Sequence, residues 1–151
     1  MFSLFKKKPN PPKMFADDNW EVVKGEYEHN PMLVRVNSNL RPFVGKSDHT
    51  LKIGFAIPLN NPQPGIMTDL KENEIINAIE DQITETLNAK ASAVLALVIT
   101  MGTFKELVYY AMPDIDVASI HQELKASIKS HDLQCIATIE NKWETYRQFI
   151  K

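Results

Sequence analysis

The chain has 151 residues, 44% apolar and 24% charged, with nine prolines, five glycines and one cysteine, the composition of a single ordinary globular domain. At that length folding removes about two-thirds of the unfolded chain's surface from water, so a core holds without a metal or disulfide staple and no cofactor is required. The lone cysteine, Cys135, has no intrachain disulfide partner and favours a reducing, cytoplasmic setting, while the longest apolar run, residues 93–99, is far short of the roughly 20 residues that span a bilayer.

Lys6, Lys7, Lys8 and Lys13 open the chain, which leaves 13 of its 17 basic residues against all 19 acidic ones in the remainder. That mildly acidic body offers no electrostatic footprint for nucleic acid, whose binding is dominated by Lys and Arg contacts to phosphate. Apolar residues precede the lysines, the reverse of a signal peptide. Pro9, Pro11 and Pro12 deny the leader backbone donors and helical conformation, so residues 1–15 read as a disordered basic arm, dispensable for folding, and 16–151 as one α+β domain. Phe2, Leu4, Phe5 and the lysines could give the arm a weak membrane-surface contact, but one short apolar patch binds only marginally and a solubilising tail is the plainer reading.

Two runs rich in Val and aromatics, Trp20–Tyr27 and residues 32–37, flank Glu28, His29, Asn30 and Pro31 and predict a hairpin. Leu51, Ile53, Phe55 and Ile57 alternate with smaller or polar residues as a strand with one apolar face, closed by the turn-rich residues 60–65. From residue 68 or 69 the period becomes helical, with Leu70, Ile75, Ile76, Ile79, Ile83 and Leu87 on a stripe that ends near Asn88. Residues 93–100 and Phe104–Ala111 are joined by three residues and must pair antiparallel. Asp116 is placed to cap a second helix with the stripe Val117, Ile120, Leu124 and Ile128, and residues 133–139 form the last main strand. Trp143, Tyr146 and Ile150 share a face of a short C-terminal helix.

From residue 51 this order is the βαββαβ of a ferredoxin-like sandwich, with right-handed crossovers and both helices on one face of the sheet. The near-continuous apolar run at 93–99 asks for burial on both faces. Trp20 with the N-terminal hairpin, Trp143 with the C-terminal segment, or a second subunit would supply the cover, and the expectation is a homodimer through residues 93–100, with Trp20 and Trp143 largely buried.

Trp20, the Glu80-Asp81 pair inside the first helix, the hairpin through Gly102 to Tyr109 and Tyr110, and the closing Trp143, Glu144 and Tyr146 together resemble the domain of unknown function 695 family over residues 20–150. Some chains of that family carry after this domain a segment similar to protein inhibitors of ribonuclease. The resemblance therefore implies the domain's extent and a tilt toward regulation, and it implies no reaction.

Glu74, Glu80 and Asp81 are the candidate catalytic carboxylates. Adjacent helix positions point about 100° apart, however, so Glu80 and Asp81 do not converge on one atom unaided, and a solvated helix face is the favoured reading. His29, His49, His121 and His131 lack metal-ligand spacing, and no metal is expected. His131 after the second helix suits the helix dipole, and Cys135 reads as a buried, inert thiol. Turn amides and asparagines at 60–65 could bind an anion, although a plain turn explains them. The sequence thus points to a cytoplasmic, bacterial, noncatalytic interaction or regulatory domain with an unknown protein partner; the alternative is a small hydrolase or transferase using the helix carboxylates. Trp20, Trp143 and Tyr146 serve as partner or packing aromatics.

Overall fold

In the computed structural model, which describes residues 19–63 and 70–150, the first element is a hairpin of β1 (Trp20–Tyr27) and β2 (Asn30–Asn37). The basic arm at 1–15 lies outside the described residues. The hairpin turn is tighter than its sequence suggests: Glu28 and His29 alone make it, both with positive φ (52° and 68°), while Asn30 and Pro31 already belong to β2. That left-handed pair is the handedness a two-residue loop needs to follow the strand twist.

A 3-10 segment, Ser38–Phe43, follows without any sequence expectation of it, being too short to show periodicity and containing Pro42. Asn37 caps it by accepting from the Asn39 N–H at 3.2 Å, and Leu40 and Phe43 turn inward. β3 (Leu51–Pro58), α1 (Leu70–Lys90), β4 (Ala93–Met101), β5 (Phe104–Ala111), α2 (Val117–Ser127), β6 (Gln134–Ile139) and a short α3 (Glu144–Arg147) complete the order. The strands form one antiparallel sheet of six, ordered β1-β2-β4-β5-β3-β6, in a mixed α+β architecture.

Strand alternation sorts the apolar residues into two cores. Ile53, Phe55 and Ile57 of β3 and Leu107 and Tyr109 of β5 meet Ile76, Ile79, Ile83 and Leu87 of α1 and Ile120 and Leu124 of α2. On the other face Val34 and Val36 of β2, Val94, Ala96 and Leu97 of β4 and Val108 and Tyr110 of β5 lie under Leu40, Phe43, Trp143 and Tyr146. A bulge between Leu95 and Leu97 lets β4 send Val94, Ala96 and Leu97 to one core while Ala93 and Val98 serve the other.

Both faces of β4 are therefore covered within the chain. The apolar excess that motivated a dimer through residues 93–100 is met by the 3-10 segment and the C-terminal segment. The N-terminal hairpin takes neither covering role, because it extends the sheet beside β4. Trp20, expected to be largely buried, is half-buried under the guanidinium of Arg35, whose carbon stands 5.3 Å from the indole centroid. Among the described residues no helix is long and apolar enough to cross a membrane.

Glu106 of β5 lies over Gly54 of β3, so close that a Cβ there would stand 2.8 Å from Glu106 Oε2. Burial pushes its carboxyl above the ordinary range, with Lys52 opposing. A raised carboxyl pKa means the folded state holds its proton to higher pH than the unfolded one, so this group costs stability as pH climbs past about 4. Glu106→Gln is accordingly expected to raise the melting midpoint at pH 7 and to lose that advantage near pH 4. Melts at the two pH values check it, and a variant less stable at pH 7 would contradict it.

Candidate functional site

Strand register builds one wall of a cleft. Leu33 on β2 pairs with Thr100 on β4, which pairs with Lys105 on β5, and Arg35 lies two residues along β2 from Leu33. The facing wall comes from α1, where Asn73, Asn77, Glu80 and Asp81 recur at helical spacing along one flank. Together they enclose an open cavity of about 490 Å³.

Charge organises its floor. Arg35 Nη2 donates to both carboxylate oxygens of Glu80 at 2.9 Å, and Lys105 Nζ donates to Asn77 Oδ1 at 2.9 Å while standing 3.5 Å from Glu80 Oε1. The side chains are 39% exposed for Arg35, 13% for Glu80 and 5% for Lys105. Burial draws the Lys105 ammonium below the ordinary lysine range; Glu80 resists this and Arg35 adds to it.

Of the carboxylates singled out in the sequence, Glu80 and Asp81 line this cleft, and Glu74 is exposed outside its lining. Glu80 is not on a solvated face. It is the shared partner of two cations, whereas Asp81 stands exposed at the rim. Arg35 and Lys105 were missed. Lys105 carried a signal, since it occupies the same strand phase as Leu107, Tyr109 and Ala111, all of which face the helices.

A second cluster ties loops together. Glu72 of α1 accepts from the Asn60 and Asn61 N–H groups at 2.5 and 3.0 Å and lies 2.6 Å from His131 Nε2. The turn amides that could have served an external anion hold this internal one. Burial works to raise the Glu72 carboxyl, but the Asn60 amide, His131 and the Asn61 amide outweigh it and keep it low. His131, expected merely to complement a helix dipole, has a side chain only 1% exposed, and its ring is held between Glu72 and Ser130. Cys135 is half-buried with its thiol pushed up to about 11 by burial, which disfavours a thiolate at neutral pH.

The C-terminal aromatics are packing groups. Trp143 stacks on Tyr110 with ring centroids 4.5 Å apart, meets Tyr146 edge-on, and donates its indole N–H to the His49 carbonyl at 2.7 Å. Tyr146 donates to the Asn37 carbonyl at 2.6 Å. Glu140 gathers the Tyr110 hydroxyl at 2.7 Å and the Thr145 N–H and hydroxyl at 3.0 and 2.7 Å, which fastens the last helix to the sheet.

Among the described residues no group of three His, Cys, Asp or Glu side chains is arranged to hold a metal. The model of a family of unknown function, DUF695, matches residues 18–151. No curated protein and no solved structure matches the chain.

Proposed function

The chain belongs to DUF695, a family of unknown function that lends it no reaction, and on that premise we propose that it is a noncatalytic regulatory domain holding a small polar ligand in the cleft between α1 and the sheet. The observation that carries this reading is the commitment of Glu80: both of its oxygens are occupied by Arg35, with Lys105 close by. A carboxylate with both oxygens engaged by one guanidinium is held in place as part of the cleft wall and is poorly placed to approach a reacting atom. The hydrolase or transferase alternative takes Glu74, Glu80 or Asp81 together with a group from a neighbouring strand, and Arg35 and Lys105 are the strand groups beside Glu80, both already engaged with it. Glu74 lies outside the cleft lining and Asp81 stands at its rim, which weakens that alternative.

The order β4-β5-β3-β6, with α1 and α2 as its two crossovers, supports a ferredoxin-like reading of residues 51–139, to which β1 and β2 add two strands at one edge. A cytoplasmic location and a protein partner, a second copy included, belong to the same proposal. The β6 edge supports a partner. Its sequence QCIATI carries neither charge nor proline, and Ile136 and Ile139 are 71% and 52% exposed. The opposite edge, β1, bears Glu21, Lys24 and Glu26, the kind of charge that ordinarily blunts an edge against pairing.

Incubating the protein with the small-molecule extract of its native cells, followed by ligand-observed NMR, tests the central reading. Selected signals should broaden while the composition of the extract stays constant over hours. A product whose formation depends on Glu80 or Asp81 would replace the regulatory reading with the enzymatic one.

A further inference from the structure

We propose that the cleft takes a small amino-carboxylate, the chemistry of a free amino acid, with its carboxylate on Arg35 and Lys105 and its ammonium on Asp81. This rests on the ligand-binding reading above and adds the class of ligand. Arg35, Glu80 and Lys105 place two cations against one carboxylate, and the Lys105 side chain is only 5% exposed. A cation that far from water needs a full set of acceptors. Its three donors find, among the described residues, Asn77 Oδ1 at 2.9 Å and Glu80 Oε1 at 3.5 Å, the latter at the outer limit of a hydrogen bond. Arg35 engages Glu80 through Nη2 alone, so Nε and Nη1 have no hydrogen-bond partner among the described residues. One entering carboxylate supplies acceptors to both cations and balances the cluster at two charges of each sign.

Asp81 settles the other end of the ligand. It is exposed at the lip of the same cleft with no ion pair among the described residues, one helix position from Glu80. Its charge repels a second negative group and attracts a positive one, which disfavours a phosphate dianion and favours a zwitterion. Asn73, Asn77 and Thr100 add neutral donors and acceptors beside an apolar contact from Leu33. The volume of about 490 Å³ lies in the range of small-ligand sites and leaves room for a side chain.

The test is calorimetric and thermal-shift titration of the full chain with each of the twenty protein amino acids and with inorganic phosphate, followed, for any that binds, by its carboxamide and its deaminated acid. A subset of amino acids should bind. The carboxamide and the deaminated acid should each lose about fivefold or more in affinity, the scale of one charge-assisted hydrogen bond at a partly exposed site. Arg35→Gln should weaken binding similarly, and Asp81→Asn, at an exposed position that leaves the fold intact, should abolish the preference for the amino acid over its deaminated acid. Binding by none of the twenty, equal binding of the carboxamide, or tighter binding of phosphate would overturn the proposal. A different ligand from the native extract seated on the same residues would overturn the amino-carboxylate class alone and leave the regulatory reading standing.

Discussion

Trp143→Ala is expected to cost about 3 to 5 kcal/mol of folding stability, because it empties a fully buried indole site in the second core. Three losses coincide there: the stack on Tyr110 at 4.5 Å, the edge contact with Tyr146, and the N–H bond to the His49 carbonyl that ties the C-terminal segment to the loop before β3. Alanine recovers nothing through the backbone, since position 143 keeps a positive φ of 54° that favours glycine. Trp20→Ala, by contrast, removes a half-buried ring whose described partner is one cation–π contact with Arg35, worth about 0.5 to 1 kcal/mol, plus part of its apolar area. Chemical denaturation of both variants checks the order. A Trp143→Ala protein as stable as its parent would mean that the C-terminal segment does not close the second face of the sheet.

Glu80→Ala is expected to be the second most damaging change, at about 3 kcal/mol, the low end of what breaking a buried ion pair costs. The loss comes from what remains: Lys105, almost fully buried, would face Arg35 across the vacated space with only Asn77 to accept from it. Arg35 contributes less, since its partly exposed charge is screened by water. The double variant Glu80→Leu with Lys105→Met should recover most of the stability, because replacing both members of a buried pair by apolar groups of similar size is close to neutral. Equilibrium unfolding of parent, single and double variants separates the outcomes. A single variant of unchanged stability would show that the cluster is not coupled.

Much of this architecture was legible in the sequence because it is written in short-range periodicity. The alternation at Leu51, Ile53, Phe55 and Ile57 and the helical stripe through Ile76, Ile79, Ile83 and Leu87 each specify an element and its buried face, and the structure joins them in one core. The apolar run of β4 announced that both faces would be covered. What covers the second face was legible in part: the C-terminal segment with Trp143 was one of three candidates and does cover it, whereas Leu40 and Phe43 come from a 3-10 segment about a hundred residues earlier that is too short to show periodicity. The candidate site was likewise legible by half. Glu80 and Asp81 share a helix and can be read together, whereas Arg35 and Lys105 join them only through the pairing of β2, β4 and β5. His131 shows the limit of reading a residue by its neighbours in sequence: its partner is Glu72, which precedes it by 59 positions.

The central claim is that the cleft between α1 and the sheet is where this protein meets its ligand. The most direct measurement is a two-dimensional amide spectrum of isotopically labelled protein before and after addition of the small-molecule fraction of its native cells. Resonance shifts concentrated at Leu33, Arg35, Asn73, Asn77, Thr100 and Lys105, with β6 unperturbed, are the expected result; an unchanged spectrum, or shifts gathered along β6 instead, would contradict it.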